Sequence, residues 1–587
     1  MKSLQYLNKY FLKYKWRFGL GILFTVVSNY FGAKMPVFIG DKVNEIINGD
    51  IANDVNTGFW IAFQISAIYI GLSVAKGFFL FLMRQTIIVM SRLIEFDMKN
   101  EIFAHYQKLD QAFFKRNATG DLMNRISEDV SQVRNYTGPG MMYSVNLIAL
   151  FAMCITQMVL ISPTLTLYVL IPLPIMSLMV YKVSSRMSAL STEVQREQSM
   201  LSTIAQETFA GIRVIKAYNR TKETAEKFEA SSDQYKKNNM RLVLVNAFFM
   251  PSIMFLIGLS TLLDVYIGGV MTFDKQIKLG EIVTFIFFVN QLTWPFVSIG
   301  WVTSIVQRAA ASQKRINEFL NYEPTIANSN DEEMDFQGEI SFKNVSFTYP
   351  DTGVQALKNV SFSIKKGDTL AIVGHTGSGK STVLTLLMRQ YDITNGDIFI
   401  DGKAIKNINL DAFRNQSGMV PQDVFLFSDS IANNLKFGVK EDEITEEDLI
   451  NITKEAHIYH NIEDFPEKFE TVLGERGVNL SGGQKQRISI ARALLRHPKL
   501  LLLDDCLSAV DTETEEIILT NINKESSNRT TIVVSHRVST IRNANQILVM
   551  ENGEIIETGT HTSLLEKNGL YAEMYNKQLA EEKKSTE

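Results

Sequence analysis

The sequence predicts a two-part chain. An α-helical membrane domain of six long transmembrane helices is followed by an α/β domain built round a phosphate-binding loop. Three observations lead there. Six segments of the first half are apolar over the roughly 20 residues that a helix needs to cross a bilayer. The stretches joining them alternate between short and long, and the long ones are basic. From residue 338 onward the long apolar runs stop, and strand-like alternation leads into a glycine-rich loop.

With 587 residues the chain exceeds one ordinary domain. A mean hydropathy of +0.01 averages over two dissimilar halves. The net charge of −4 implies no broad basic surface, so no nucleic-acid partner is expected. The two cysteines, Cys154 and Cys506, fall in different halves. They suggest buried small hydrophobes and no disulfide framework.

The predicted spans lie near 17–40, 59–83, 138–161, 163–185, 243–271 and 281–307, within a membrane domain of 17–320. Residues 1–16 alternate bulky apolar side chains with Lys2, Lys9, Lys13 and Lys15, and no small-residue cleavage site follows. That pattern predicts a helix on the inner membrane surface, not a signal peptide. The connection 41–58 is short and acidic (Asp41, Glu45, Asp50, Asp54). The stretches 84–137 and 186–242 are long, helical in pattern and basic, with Arg84, Arg92, Lys99, Arg186, Arg213 and Lys216 among them. The positive-inside rule then puts both long loops, the N-terminus and everything after 307 in the cytoplasm. The expectation is a multi-pass protein of the plasma or inner membrane. Residues 321–337, polar and acidic with Pro324, read as a linker. A nucleotide-binding domain is expected over 338–578, and a charged, disordered tail over 579–587.

The chemistry sits in the second half. Gly374-His375-Thr376-Gly377-Ser378-Gly379-Lys380-Ser381 matches G-x-x-x-x-G-K-[ST]. It follows an apolar strand, 369–373, and opens a helix with Thr382. Such a loop curls its backbone N–H groups round phosphate oxygens at a helix N-terminus. Lys380 would reach the β- and γ-phosphates of ATP, and Ser381 would ligate Mg²⁺. Four leucines at 500–503 form a buried strand that ends in Asp504, placed to hold Mg²⁺. Between the two lies Leu480-Ser481-Gly482-Gly483-Gln484, leading into a helix.

With that pentapeptide the whole chain resembles the ABC transporter ATPases, in the half-transporter arrangement of multidrug and lipid exporters. The resemblance implies further roles. Tyr349 would stack on adenine. Gln422 would sense Mg²⁺ and the attacking water. Leu480 to Gln484 would face the ATP of a partner subunit. Ser508 and Asp511 bracket the loop that crosses to that partner. His536 would contact the γ-phosphate. Glu475 would touch the opposite subunit. In the membrane half, Thr119-Gly120-Asp121-Leu122 with Arg125 and Asp129 looks like a first coupling helix, and the stretch round Gly211 like a second. One nucleotide domain carries half of each ATP site, so a dimer is implied, alternating access under ATP.

One position departs from the family. Asp505 follows Asp504 where Glu orients the water in hydrolytic members. Its carboxylate falls one methylene short, and a misplacement of about 1 Å can cost roughly a hundredfold in rate. Two readings stay open: a heterodimer with one slow site, where a second half-transporter supplies Glu, or a homodimer with two slow sites. The same departure would suit an ATP-gated channel or a regulatory subunit. Among polar residues within the spans (Asn29, Lys34, Gln64, Lys76, Asn146, Gln157, Asn246, Asp264, Asn290, Gln291), Lys34 and Asp264 could simply pair near the outer face. The apolar, aromatic spans suit a small amphipathic substrate, drug or lipid, taken from the lipid bilayer.

Overall fold

The computed structural model describes residues 2–48, 55–328, 330–439, 444–474, 477, 479–524 and 529–586. Asp50, Asp54 and Glu475 lie outside these. The chain divides into two compact units, Met1–Gln107 with Gly120–Tyr322, and Lys108–Thr119 with Glu323–Glu587.

The first unit is all helix. Its spanning helices are α1 (Lys15–Asn48), α2 (Val55–Tyr106), then α4 (Thr119–Ile161), α5 (Pro163–Ala210), α7 (Thr221–Phe273) and α8 (Leu279–Leu320); between them in sequence come the short α3 (Gln111–Arg116), which falls in the second unit, and α6 (Ile212–Ala217). Six of its helices are thus long and apolar enough to cross a membrane. At 1.5 Å per residue the 52 residues of α2 span about 78 Å, well over twice the hydrocarbon thickness. Residues 2–7 wind as a 3₁₀ helix and Asn8–Lys13 as an α-helix ahead of α1. Lys9, Tyr6 and Tyr10 all converge on Glu101 of α2.

Polar links run between the spans, as expected where lipid offers no hydrogen bond. Asn29 donates to Asn146 at 2.9 Å, Gln291 to the carbonyl of Gly32 at 3.1 Å, and Ser260 to that of Val169 at 2.6 Å. At one end α1 and α8 touch backbone to backbone. A Cβ on Gly40 would stand 2.4 Å from the carbonyl of Gly280, and Asn44 accepts from the Gly280 amide at 2.7 Å. The expected pairing of Lys34 with Asp264 does not form. Asp264 is wholly buried on α7, one turn from Gly268, which packs on Ile282, and neither carboxylate oxygen has a hydrogen-bond partner among the described residues.

The second unit holds two sheets. An antiparallel sheet has the order β2-β1-β4-β5, with β1 (Ile340–Thr348), β2 (Gln355–Ile364), β4 (Asn395–Ile400) and β5 (Lys403–Ala404). A six-stranded sheet runs β10-β9-β3-β8-β7-β6, parallel except at its β10 edge. Its strands are β3 (Thr369–Gly374), β6 (Ser417–Val420), β7 (Leu500–Asp504), β8 (Thr530–Val534), β9 (Gln546–Glu551) and β10 (Glu554–Gly559). Every residue of β7 and β8 is buried, as central parallel strands must be. Cys154 and Cys506 are both buried and free. The expected disordered tail differs: the helix Leu570–Thr586 runs through it, seated by fully buried Tyr571, whose hydroxyl meets His561 Nδ1 at 2.7 Å.

Candidate functional site: the nucleotide cavity and its two loops

In a doubly wound sheet, ligands bind beyond the carboxyl ends of the parallel strands. Here four adjacent strands, β3, β8, β7 and β6, end in the phosphate loop, in Ser535-His536, in Asp504-Asp505 and in Pro421-Gln422. Strand order thereby assembles residues that are up to 162 positions apart in sequence, Gly374 to His536. A cavity of about 510 Å³ follows, lined by Tyr349, Thr376, Gly377, Gly379, Lys380, Ser381, Thr382, Gln422, Asp505 and His536 among others.

The loop fits a polyphosphate. Gly379 has φ +97°, and a Cβ there would meet the Ala356 carbonyl at 2.4 Å, so glycine is required. It caps the helix Lys380–Leu387. The Lys380 ammonium donates to the carbonyls of Gly374 (2.9 Å) and His375 (2.8 Å), folded onto the cradle that a phosphate would fill. Burial lowers its pKa, against the opposing pull of Asp505 and Asp504. Among the described residues the buried Ser378 hydroxyl has no hydrogen-bond partner. Ser381 donates to Asp504 at 2.7 Å, so the two groups expected to hold Mg²⁺ already meet. Burial pushes the Asp504 carboxyl up, Ser381 and Lys380 pull it down, and Asp505 adds to the rise. His536 is held below the usual imidazole value by burial and by Lys380. It is therefore neutral at pH 7, with one nitrogen able to donate and one to accept.

Asp505 lines the same cavity, but its backbone is pinned. It has φ +45°, its amide donates to the Val534 carbonyl at 2.8 Å, and the Ser508 hydroxyl donates to its carbonyl at 2.9 Å. Aspartate tolerates the left-handed conformation better than most side chains.

Tyr349 is held by its hydroxyl, 3.1 Å from Thr382 Oγ1, and by Tyr391 edge-on. Lys115 sits over its ring at 4.9 Å. That lysine belongs to α3 (Gln111–Arg116), within the 108–119 segment that associates with this unit. Asp110 caps α3 and accepts from the Thr325 amide at 3.1 Å, and Arg116 donates to the Pro350 carbonyl at 3.2 Å. The stretch expected as a first coupling helix is divided between the units after Thr119. Gly120 and Asp121 fall in the membrane unit, where Asp121 accepts from Arg125 and buried Asp129 binds Arg315 of α8. The second expected stretch is a separate turn: Gly211 ends α5, and α6 (Ile212–Ala217) has no buried residue.

Leu480 to Gln484 do not line the cavity. Ser481 caps the helix Gly482–Leu494 in a reciprocal box with Gln484, leaving an exposed helix N-terminus. This element is rigidly tied to the crossing loop. A Cβ on Gly483 would stand 2.9 Å from the Ala509 carbonyl, and the Ala509 amide donates to Gln486 at 3.2 Å.

Motif reading misses two groups. Arg537 donates to the carbonyls of Ser508 and Val510 (both 3.1 Å) and to Glu515 (2.7 Å), a carboxylate 3% exposed, which Thr540 also bonds. The clamp joins the His536 loop to the Ser508–Asp511 loop. Gln578, on the C-terminal helix, braces the same loop through the Val538 amide (2.7 Å) and the His536 carbonyl. Asp511 itself accepts from the Thr514 amide at 2.9 Å and so starts the next helix.

Fold and site together define a multi-pass membrane protein carrying a phosphate-loop nucleotide-binding domain. Residues 18–296 match the ABC transporter transmembrane region and 357–508 the ABC transporter ATP-binding family. The chain is 35% identical to the probable multidrug resistance ABC transporter ATP-binding/permease protein YheI of Bacillus subtilis (strain 168), over 98% of this chain and 97% of that one. It is 32% identical to the ATP-dependent lipid A-core flippase of Haemophilus influenzae (strain 86-028NP), over 87% of each. In fold it resembles a bacterial Atm1-family ABC exporter solved with ATP bound, with a TM-score of 0.78 at 24% identity over 96% of this chain and 98% of that one. The chain belongs to the ABC transporter family, with membrane and ATPase domains fused, and is an ATPase coupled to transport.

Proposed function

We propose that this chain is half of a dimeric exporter that moves a hydrophobic or amphipathic substrate, drug or lipid, out of the cytoplasm by alternating access. The observation that carries the dimer is the split site: Lys380, Asp505, Gln422 and His536 share one cavity, while Ser481 and Gly483 lie outside it. A second chain must bring the missing half of each ATP site. The basic loops argue for a cytoplasmic N-terminus and ATPase domain. The relatives' names, multidrug resistance and lipid A flipping, support an amphipathic cargo.

Ser381 and Asp504, with Gln422 across the cavity, would hold Mg²⁺, which when bound neutralises phosphate charge. Lys380 and the loop amides orient the γ-phosphate. His536 supplies a neutral imidazole beside it. Asp505 is left to orient water from a pinned backbone and short reach. The favoured assembly is a heterodimer in which this chain's own cavity is slow and its intact Ser481-Gly483 face completes the partner's fast one.

Two measurements test this. In the chain purified alone, Asp505→Glu should raise ATP hydrolysis by up to roughly a hundredfold. Robust hydrolysis unchanged by that substitution would remove the slow-site reading and favour a homodimer. Asp505 equally suits a gated channel, and vesicles decide that: a pump concentrates substrate against a gradient and a channel cannot.

A further inference from the structure

The His536 carbonyl and the Val538 amide both end on one side chain. Gln578, on the C-terminal helix Leu570–Thr586, donates from Nε2 to that carbonyl and accepts from that amide through Oε1 at 2.7 Å. One planar carboxamide thus brackets Arg537. The His536 carbonyl and the Arg537 amide belong to the same peptide unit, which is rigid and flat. That unit is held at both edges, by Gln578 at the carbonyl and by the Ser535 hydroxyl, which accepts from the Arg537 amide at 3.0 Å.

The His536 ring lines the nucleotide cavity and forms no hydrogen bond among the described residues. Its place therefore follows its backbone torsions, and the peptide after it sets one of the two. On the sheet side the segment is already fixed, since the Ser535 amide donates to the Ile372 carbonyl at 3.2 Å. Releasing the 536–537 peptide would let the Cα–Cβ bond of His536, and the ring beyond it, turn against the phosphate loop. Gln578 is placed by its own helix. Fully buried Tyr571 lies seven positions earlier, about two turns, and so on the same face. Met574 and Tyr575, between them, pack on the same core.

We propose that Gln578 is a positioning residue for ATP hydrolysis: its carboxamide, carried by the C-terminal helix, holds the 536–537 peptide so that the His536 imidazole stands at the γ-phosphate. This rests on the role given to His536 above and adds the group that sets its place. Of the two bonds, the one to the His536 carbonyl carries the effect, since the other caps a four-residue helix, Val538–Ile541, beyond the histidine.

The test uses the full chain, assembled as it purifies, in phosphatidylcholine nanodiscs. ATP hydrolysis is followed at steady state and in single turnovers at excess protein. Gln578→Met keeps the length and removes both bonds. Gln578→Glu keeps the acceptor for the Val538 amide and sets a carboxylate oxygen against the His536 carbonyl. Both should lower kcat about tenfold, short of the roughly hundredfold that a 1 Å misplacement can cost. KM for ATP should stay within about twofold of the wild type, since no nucleotide contact is touched. Gln578→Glu at the wild-type rate would show that only the Val538 bond counts, and overturns the proposal. The separating background is His536→Ala. There Gln578→Met should cost nothing more, because no ring is left to place, whereas lost packing would subtract the same factor from both backgrounds. An equal fall in both, a rise in KM alone, or an unchanged kcat for Gln578→Met overturns the positioning role. Hydrogen exchange reads the contact apart from activity. Protection of 536–541 should fall in both variants while 570–575 stays protected, and loss across 570–575 as well would make Gln578 a support of its own helix and overturn the proposal. Normal turnover of His536→Ala would remove the histidine's role itself. A slow His536→Ala beside an unchanged Gln578→Met removes the positioning alone.

Discussion

Lys380 and Asp264 are both charged residues placed almost entirely out of solvent, and the chain treats them in opposite ways. Lys380 is met by two carbonyls and by the pull of two aspartates. Asp504 and Glu515 are likewise hydrogen-bonded, to Ser381 and to Arg537 with Thr540. Among the described residues Asp264 has no hydrogen-bond partner, and neither Lys34 nor Lys76 has an ion pair. The nucleotide unit is arranged in advance for a ligand of fixed chemistry. The membrane unit pairs other charges, such as Arg315 with Asp129, but leaves these three unanswered among the described residues. The sharpest way to break this contrast is to remove a networked charge. Lys380→Met should cost roughly a hundredfold or more in ATP hydrolysis, the scale of losing one aligned electrostatic donor. Near-normal turnover would mean that the cradle is not the catalytic pocket.

Arg537 offers the next largest effect. It spans two loops and ends on a buried carboxylate, so Arg537→Ala leaves Glu515 with Thr540 and without its cation while freeing the Ser508 and Val510 carbonyls. A loss of about tenfold in kcat with KM for ATP little changed is expected, since the nucleotide contacts remain. Arg537→Lys should recover only part, because a single ammonium cannot reproduce three forked contacts. If KM alone rises, the clamp serves binding and not the relay between loops.

How much of this was legible in the sequence follows the same divide. The phosphate loop, Asp504 and the Leu480–Gln484 stretch are contiguous and need only local order, so residue types at fixed spacing reveal them. The Arg537 clamp is a side chain reaching backbone carbonyls 27 and 29 positions away, Val510 and Ser508, and no spacing rule encodes a carbonyl. That Lys108–Thr119 groups with the nucleotide unit while Gly120-Asp121 does not is not marked by residue type at that point. The C-terminal helix was hidden by its charged end, whereas its anchor, Tyr571, lies about two turns before it. Lys34 and Asp264 looked like a pair because depth along a helix is readable and facing is not.

Asp264 itself gives a smaller effect, of opposite sign to most core substitutions. A buried carboxyl with two unpartnered oxygens costs stability whatever its protonation. Asp264→Leu, which is similar in size, should raise stability by about 1–3 kcal/mol, seen as a higher thermal midpoint in nanodiscs. Destabilisation would mean that the carboxyl has a partner in the assembled protein, and the contrast between the units would weaken accordingly.

The smallest effect concerns the joint by which residues 108–119 associate with the nucleotide unit. Burial alone would raise the Asp110 carboxyl, but the Thr325 hydroxyl and amide and the Phe113 amide, with Arg116 nearby, outweigh it and hold the carboxyl below its usual value. A depressed carboxyl gives stability that is fully present above the unfolded value near 3.9 and is lost as pH falls through the folded one. Between pH 8 and 5 the joint should therefore be flat. Below about pH 4 the wild type should lose protection of 108–119 in hydrogen exchange corrected for intrinsic rates. Asp110→Asn keeps an acceptor and cannot titrate, so its protection should start lower and stay level through the same range. A parallel acid loss in both proteins would place the titrating group elsewhere, and would leave Lys115 over Tyr349, not Asp110, as the contact that seats this segment beside the nucleotide cavity.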